Sequence, residues 1–188
     1  SMSCCRVIEI AVGAVVFAVD ESLPIEELTE EEVLEIFNGR RNTWSNGVPI
    51  VPLLRERGDS AVRVASRVIP GFSDANERAR GLGHWPMLLT DGAMGQALDT
   101  TPGAIGLYDL GAIGIEQLGV RALALDGVTA SPATLADGTY PLRRVLAIVV
   151  PREPRPEVSA FVEFLDSSRG RAVIEETRAY QLIMGDAQ

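Results

Sequence analysis

A chain of 188 residues is long enough to build one sizeable core, and its apolar share is ordinary for a globular protein. The net charge of −9 argues against a nucleic-acid partner, because a phosphate backbone calls for a basic face. All 17 basic residues are arginine, which excludes a Schiff-base lysine, a P-loop lysine and a lysine general base. A genomic base-composition bias accounts for the missing lysine.

The elements follow in chain order. Residues 7–19 are apolar and Val-rich and predict a long buried strand, with Gly13 a candidate break. The run is too short for a membrane span, and no cationic segment with a cleavage site precedes it. The opening Ser-Met has the look of an expression remnant, so the start is uninformative about a signal peptide. Thr29-Glu30-Glu31-Glu32 is a capping box, and its acidic first turn suits the helix dipole. Val33, Leu34, Ile36 and Phe37 give that helix its apolar face, and Gly39 ends it. A short strand is predicted over 48–54. Asp59 or Ser60 caps a helix over 61–68, which Pro70-Gly71 stops. Ser73 or Asp74 opens a polar helix running to Arg80, and Gly81-x-Gly83 closes it. Asp91 is expected to cap a helix reaching Leu98.

Thr101-Pro102-Gly103 predicts a turn before a strand over 104–108, and 110–117 predicts a brief helix. A strand follows over 120–125, closed by an Asp126-Gly127 turn. Ser131-Pro132 opens a helical turn that ends at Gly138. The last strand is expected over 143–150, then a proline-broken linker over 151–156, then helices over 157–165 and 170–180. Helices alternating with short strands predict an α/β layered fold without internal repeats.

The stretch 36–60 concentrates the chemistry. It reads as a helix end, a loop holding Trp44, a short strand, and then Arg55-x-x-Gly58-Asp59-Ser60 opening a helix. A strand that delivers an arginine beside a helix N-terminus brings a guanidinium fork and free amides to one volume, which suits an anion. Arg55 admits two readings: a bidentate donor to an oxyanion, or a partner of Asp59 or Glu56 in a structural ion pair. Asp59 folded onto Arg55 would repel a dianion, whereas a protonated phosphate oxygen could donate to it. Ser60 is expected as a helix N-cap, with the amides of Ser60 and Ala61 open to an anion. Trp44 is read as a loop-packing anchor and Asp91 as a cap. A hydrolase would have to use His84 as its base, and no Gly-x-Ser-x-Gly elbow accompanies it. The adjacent Cys4 and Cys5 and the single histidine do not make a metal site, and no cofactor is implied.

Several blocks together resemble the phosphate-binding proteins that serve ABC transporters. Leu28-Thr29 through Ile36-Phe37, Gly39 and Trp44 to Gly47 and Ile50 is similar to that family's "LT…IF-G…W…G..I" segment. Arg55 to Ala61 falls where the family has its Arg-x-x-Gly-Ser-Gly-Thr phosphate loop, and Pro102-Gly103-Ala104-Ile105-Gly106 resembles its "pGaIGY" strand. Leu125-Asp126-Gly127-Val128, Gly138-Thr139-Tyr140-Pro141-Leu142 and 161–170 match later blocks in order. The resemblance implies an α/β fold of the type II periplasmic-binding-protein-like class, a mixed sheet flanked by helices, here with an incomplete two-lobe architecture. It further implies a ligand site at Arg55, Gly58, Asp59, Ser60 and Ala61. Two departures stand out. Gly58-Asp59-Ser60-Ala61 replaces Gly-Ser-Gly-Thr, so the family's hydroxyl donors are displaced. The family's first half-lobe has no counterpart here; either it lies outside this sequence or the protein has lost it.

The expected organisation is a substrate-binding lobe over 1–150, including inter-lobe crossing strands, and C-terminal helices over 151–188 that would pack on the absent lobe. The expected function is that of a solute-binding component of an ABC-type uptake system, not an enzyme. It would sit periplasmically or extracytoplasmically, held at the membrane by permease subunits, and bind phosphate or a related oxyanion. The alternative is a lobe without ligand binding that acts as an interaction module, pairing with a second copy through the apolar surface left uncovered.

Overall fold

The computed structural model describes residues 4–116 and 118–183. Its organising element is β1 (Cys5–Asp20), one uninterrupted strand of 16 residues. Gly13 does not break it; the irregularity is a register shift between Glu9 and Ala11 against a later strand. From Ala11 to Val19 every residue is buried, so this half is covered on both faces, as a near-continuous run of Val, Ala and Phe requires.

β2 (Glu27–Leu28) leads into α1 (Glu30–Phe37), capped by Thr29 with the reciprocal Glu32 bond expected from the sequence. β3 (Val51–Leu53) is followed by α2 (Ser60–Val68), α3 (Phe72–Leu82) and α4 (Asp91–Thr100). β4 (Ala104–Asp109) then enters parallel to β3, with α2, α3 and α4 forming the crossover. α5 (Leu110–Glu116) follows; the expected end at Gln117 lies outside the described residues. The strand expected over 120–125 is split into β5 (Val120–Ala122) and β6 (Ala124–Leu125), because the pairing changes partner: the Leu123 amide still donates to Phe17 of β1 at 2.8 Å, and Ala124 turns to pair with β2. α6 (Pro132–Ala136), β7 (Arg143–Pro151), α7 (Pro156–Asp166) and α8 (Ser168–Glu176) complete the predicted series.

The helix expected over 170–180 ends at Glu176, and the chain then makes an unpredicted strand, β8 (Gln181–Leu182). Arg178 adopts a positive φ of 53° and turns the chain back onto β1. The sheet order is β3-β4-β1-β5, with β7 and β8 also on β1. The two ends of β1 serve different partners. Its C-terminal half pairs with β4 and β5, and Cys5 to Ala14 pairs antiparallel with β7.

Phe17, Phe37 and Phe72 lock β1, α1 and α3 together through edge-to-face contacts, with centroids 5.0–6.1 Å apart. Trp44 is buried and donates its indole N–H to the Gly103 carbonyl at 3.0 Å, which confirms it as a packing anchor. Gly103 is required there: its φ is +77°, and a Cβ would meet the Pro49 carbonyl oxygen at 2.0 Å. The β1–β7 ribbon and α7 leave Val7, Val145, Val149, Phe161 and Phe164 exposed.

Candidate functional site

Strand β3 ends by delivering Arg55 into the protein rather than into solvent. Its side chain is 3% exposed, and its carbonyl accepts a hydrogen bond at 2.9 Å from the buried Asn76 of α3. The guanidinium donates to the Asp91 carboxylate and lies 3.6 Å from Asp59. Its Nε is buried without a hydrogen-bond partner among the described residues. Arg55 is therefore a brace joining the α2 and α4 starts, with its charge answered by two carboxylates. The expected cap at Asp91 is corrected: Thr90 caps α4 by accepting from the Ala93 amide, and Asp91 is the partner of Arg55.

The loop after Arg55 folds into a turn, with the Asp59 amide bonded to the Glu56 carbonyl at 3.0 Å. Asp59 is the N-cap of α2 and accepts from the Ala61 amide at 2.7 Å. Two expectations change as a result. Ser60 is the first helical residue rather than the cap, and the Ala61 amide is already engaged. The amides of Ser60 and Val62 belong to the first turn, which has no intrahelical acceptor for them. A Cβ on Gly58 would meet nothing within 4 Å, so the volume above the loop is open.

Ser60 faces a second charged group that sequence reasoning missed. Its Oγ accepts from Arg144 of β7 at 3.3 Å, and Arg144 also donates to Asp109 Oδ2 at 2.5 Å. Asp109 ends β4 and is buried. Its Oδ1 accepts from the Gly111 amide at 2.8 Å, the Ala112 amide at 3.2 Å and the Tyr180 hydroxyl at 2.8 Å. Burial and the Asp109 charge push the Tyr180 phenol well above its ordinary range, so it stays a donor. Tyr180 fits because both neighbours are glycines: a Cβ on Gly111 would stand 2.0 Å from its hydroxyl, and one on Gly13 would stand 3.0 Å from its ring. The available signals were an Arg-Arg pair opening an otherwise apolar strand and an Asp ahead of Leu-Gly at a strand end.

Arg144 also borders an open groove of about 640 Å³ between α2 and β7, lined by Ser60, Arg63, Val64, Arg67, Arg143 and β7 residues 144–147. Arg63 donates to the Gly58 carbonyl at the head of the groove. The lone His84 lies exposed with its ring 4.8 Å from that of Trp85, remote from this constellation in the chain and in its contacts. Among the described residues no group of three or more His, Cys, Asp or Glu is placed to hold a metal. No described helix is long and apolar enough to cross a membrane.

A family model described as a PBP superfamily domain matches residues 6–169. The chain belongs to that family. Among curated relatives, the phosphate-binding protein PstS of Borreliella burgdorferi is 24% identical over 177 residues, 88% of this chain and 62% of the relative. Phosphate-binding protein PstS 2 of Streptococcus pneumoniae is 34% identical over 89 residues, 47% of this chain and 29% of the relative. The chain thus spans less than two thirds of the length of these relatives. Among solved structures, a putative phosphate ABC transporter substrate-binding protein with bound phosphate from Clostridium perfringens superposes with a TM-score of 0.79 at 18% identity, over 95% of this chain and 72% of that one. PstS from Borrelia burgdorferi superposes at 0.63 and 22% identity, over 95% and 72%. These likenesses establish the expected fold, a mixed sheet flanked by helices that matches the lobes of phosphate-binding proteins.

Proposed function

We propose that this chain is the oxyanion-binding part of an ABC-type substrate-binding protein, with phosphate as its first candidate ligand. The observation that carries the reading is the meeting of Ser60, at the open first turn of α2, with Arg144 of β7 at 3.3 Å, beside the unfilled space over Gly58. Helix-start amides, one hydroxyl and one guanidinium at a common mouth are the donors an oxyanion needs. The family relation and the phosphate-binding relatives support the same ligand class.

The loop residues then divide the work. Ser60 and the first-turn amides are the donors, and Gly58 leaves room for the ligand. Arg55, Asp59 and Ala61 set the geometry: Arg55 anchors the loop, and Asp59 closes on Ala61 to cap the helix. In this reading the protein works outside the cytoplasmic membrane and hands its ligand to permease subunits, as a binding component and not an enzyme. The β1–β7 ribbon serves as the crossing connection. Its exposed apolar face, together with α7, is the surface on which the other lobe of a two-lobe binding protein packs, and closure about that connection completes the cleft.

Calorimetric titration with phosphate and with sulfate tests the reading. With only one side of a cleft present, binding on the order of 0.1–1 mM is expected. Ser60→Ala and Arg144→Ala should each weaken it by about three- to tenfold. No saturable phosphate binding, or binding indifferent to both substitutions, would refute the proposal.

A further inference from the structure

The groove between α2 and β7 is larger and more basic than one phosphate requires. Arg63 and Arg67 stand one helical turn apart on the exposed side of α2, and Arg143 and Arg144 open β7 opposite them. No carboxylate lines the groove among the described residues, in a chain whose net charge is −9. Two of the four arginines are already committed, Arg63 to the Gly58 carbonyl and Arg144 to Asp109 and Ser60. Arg67 makes no hydrogen bond or ion pair with another described residue, and the Arg143 guanidinium lies beside Gly138, where Asp137 feels its charge. Like charges at i and i+4 on a helix repel, and a concave surface of one sign concentrates the field. An anion that lies along the groove removes the repulsion and uses the field.

Length decides which anion. Ser60 and Arg67 are separated by about 10 Å along the helix axis, at the ordinary rise per residue. A single phosphate at Ser60 reaches one end only. We propose that the groove binds a ligand carrying two or more linked phosphate groups, with the first at the Ser60–Arg144 end and the next on Arg67 and Arg143. The inference rests on the oxyanion reading for its first subsite, and Arg67 and Arg143 supply a second subsite of their own. The contacts are charge-assisted hydrogen bonds to a guanidinium fork, which fit paired phosphate oxygens better than a lone carboxylate.

The test is calorimetry with phosphate, pyrophosphate and tripolyphosphate at about 0.15 M salt, where exposed charges beyond about 8 Å are screened. Tripolyphosphate should bind one-to-one and about tenfold tighter than phosphate, a single decade of affinity being what a second set of exposed charge contacts supplies. Arg67→Ala and Arg143→Ala should each weaken tripolyphosphate about three- to fivefold and leave phosphate unchanged. Both side chains are exposed, so the variants should keep the wild-type unfolding midpoint, and Arg40→Ala, an exposed arginine away from the groove, controls for net charge. Equal affinity for phosphate and tripolyphosphate, or a tripolyphosphate affinity untouched in the Arg67→Ala/Arg143→Ala double variant, overturns the proposal. So does polyglutamate binding as tightly as tripolyphosphate. Tripolyphosphate binding that depends on Arg67 without any phosphate binding would uphold the groove and refute the oxyanion reading; phosphate binding alone would do the reverse.

Discussion

Replacing Asp59 by serine separates the two roles of this carboxylate. As a helix cap, serine is nearly its equal, so that exchange costs only a few tenths of a kcal/mol. The second loss is the 3.6 Å contact with Arg55, whose side chain is 3% exposed and which keeps Asp91 as its nearer partner. That contact contributes about 1 kcal/mol, placing it between a surface pair and a buried one. For a chain of this size, the expected fall in Tm is about 2–4 °C. Binding should move the other way. The carboxylate lies one residue from Ser60, on the order of 5–6 Å from an anion seated there. Against a dianion at near-aqueous screening, the repulsion is about 1.5 kcal/mol, or roughly tenfold in Kd. Asp59→Ser should therefore bind phosphate about tenfold more tightly while melting slightly earlier, measured by calorimetric titration and by thermal unfolding. Weaker phosphate binding in this variant would refute the reasoning. It would show that Asp59 accepts a proton-bearing phosphate oxygen, which makes it a ligand contact and not a repulsive neighbour.

Asp91→Ala removes the nearer partner of a buried guanidinium whose Nε is already unpaired, and should cost about 2–3 kcal/mol in urea unfolding; a loss under about 0.5 kcal/mol would mean that Arg55 hydrates freely. Gly111→Ala drives a methyl to 2.0 Å from the Tyr180 hydroxyl and should break its bond to Asp109, at a cost of about 2–3 kcal/mol. Tyr180→Ala in the same chain should relieve the clash, so a double-mutant cycle that came out additive would contradict this packing. Glu32 is held below its ordinary carboxylate range, first by the Thr29 amide and then by Arg41. A depressed folded-state pKa gives stability that is full above the unfolded value of 4.5 and is lost as pH falls through the folded value. The stability difference between wild type and Glu32→Gln should accordingly shrink as pH drops below about 4.5, and a difference constant from pH 7 to pH 3 would exclude the capping carboxylate as its source. Glu30, raised by burial, works in the opposite direction and is common to both proteins in that comparison.

Much of the fold was legible because its signals are local. Thr29 to Glu32 spells a capping box, and the box is formed. The run 7–19 is apolar without alternation, and its second half is buried on both faces. Ser131-Pro132 and the Asp126-Gly127 turn are likewise set by backbone chemistry within a few residues, Asp126 and Gly127 both taking positive φ. The misreadings came where distant segments compete. β8 exists because Arg178 turns the chain onto β1, and no short-range pattern announces a two-residue strand. Leu123 interrupts an otherwise uniform stretch because Ala124 pairs with β2 and not with β1.

The sequence by itself determined where most helices lie, the central strand, the family blocks and the presence of an arginine ahead of a helix. Each rests on propensity, capping or periodicity, which act over one or two turns of chain. Only the tertiary structure decided what that arginine does. Arg55 is spent on Asp91, 36 residues away, and Ser60 meets Arg144, 84 residues away. Charge pairing depends on distance in space, and the sheet around β1 sets those distances: it brings the start of β7 to the head of α2 and so places Arg144, itself paired with Asp109, beside Ser60.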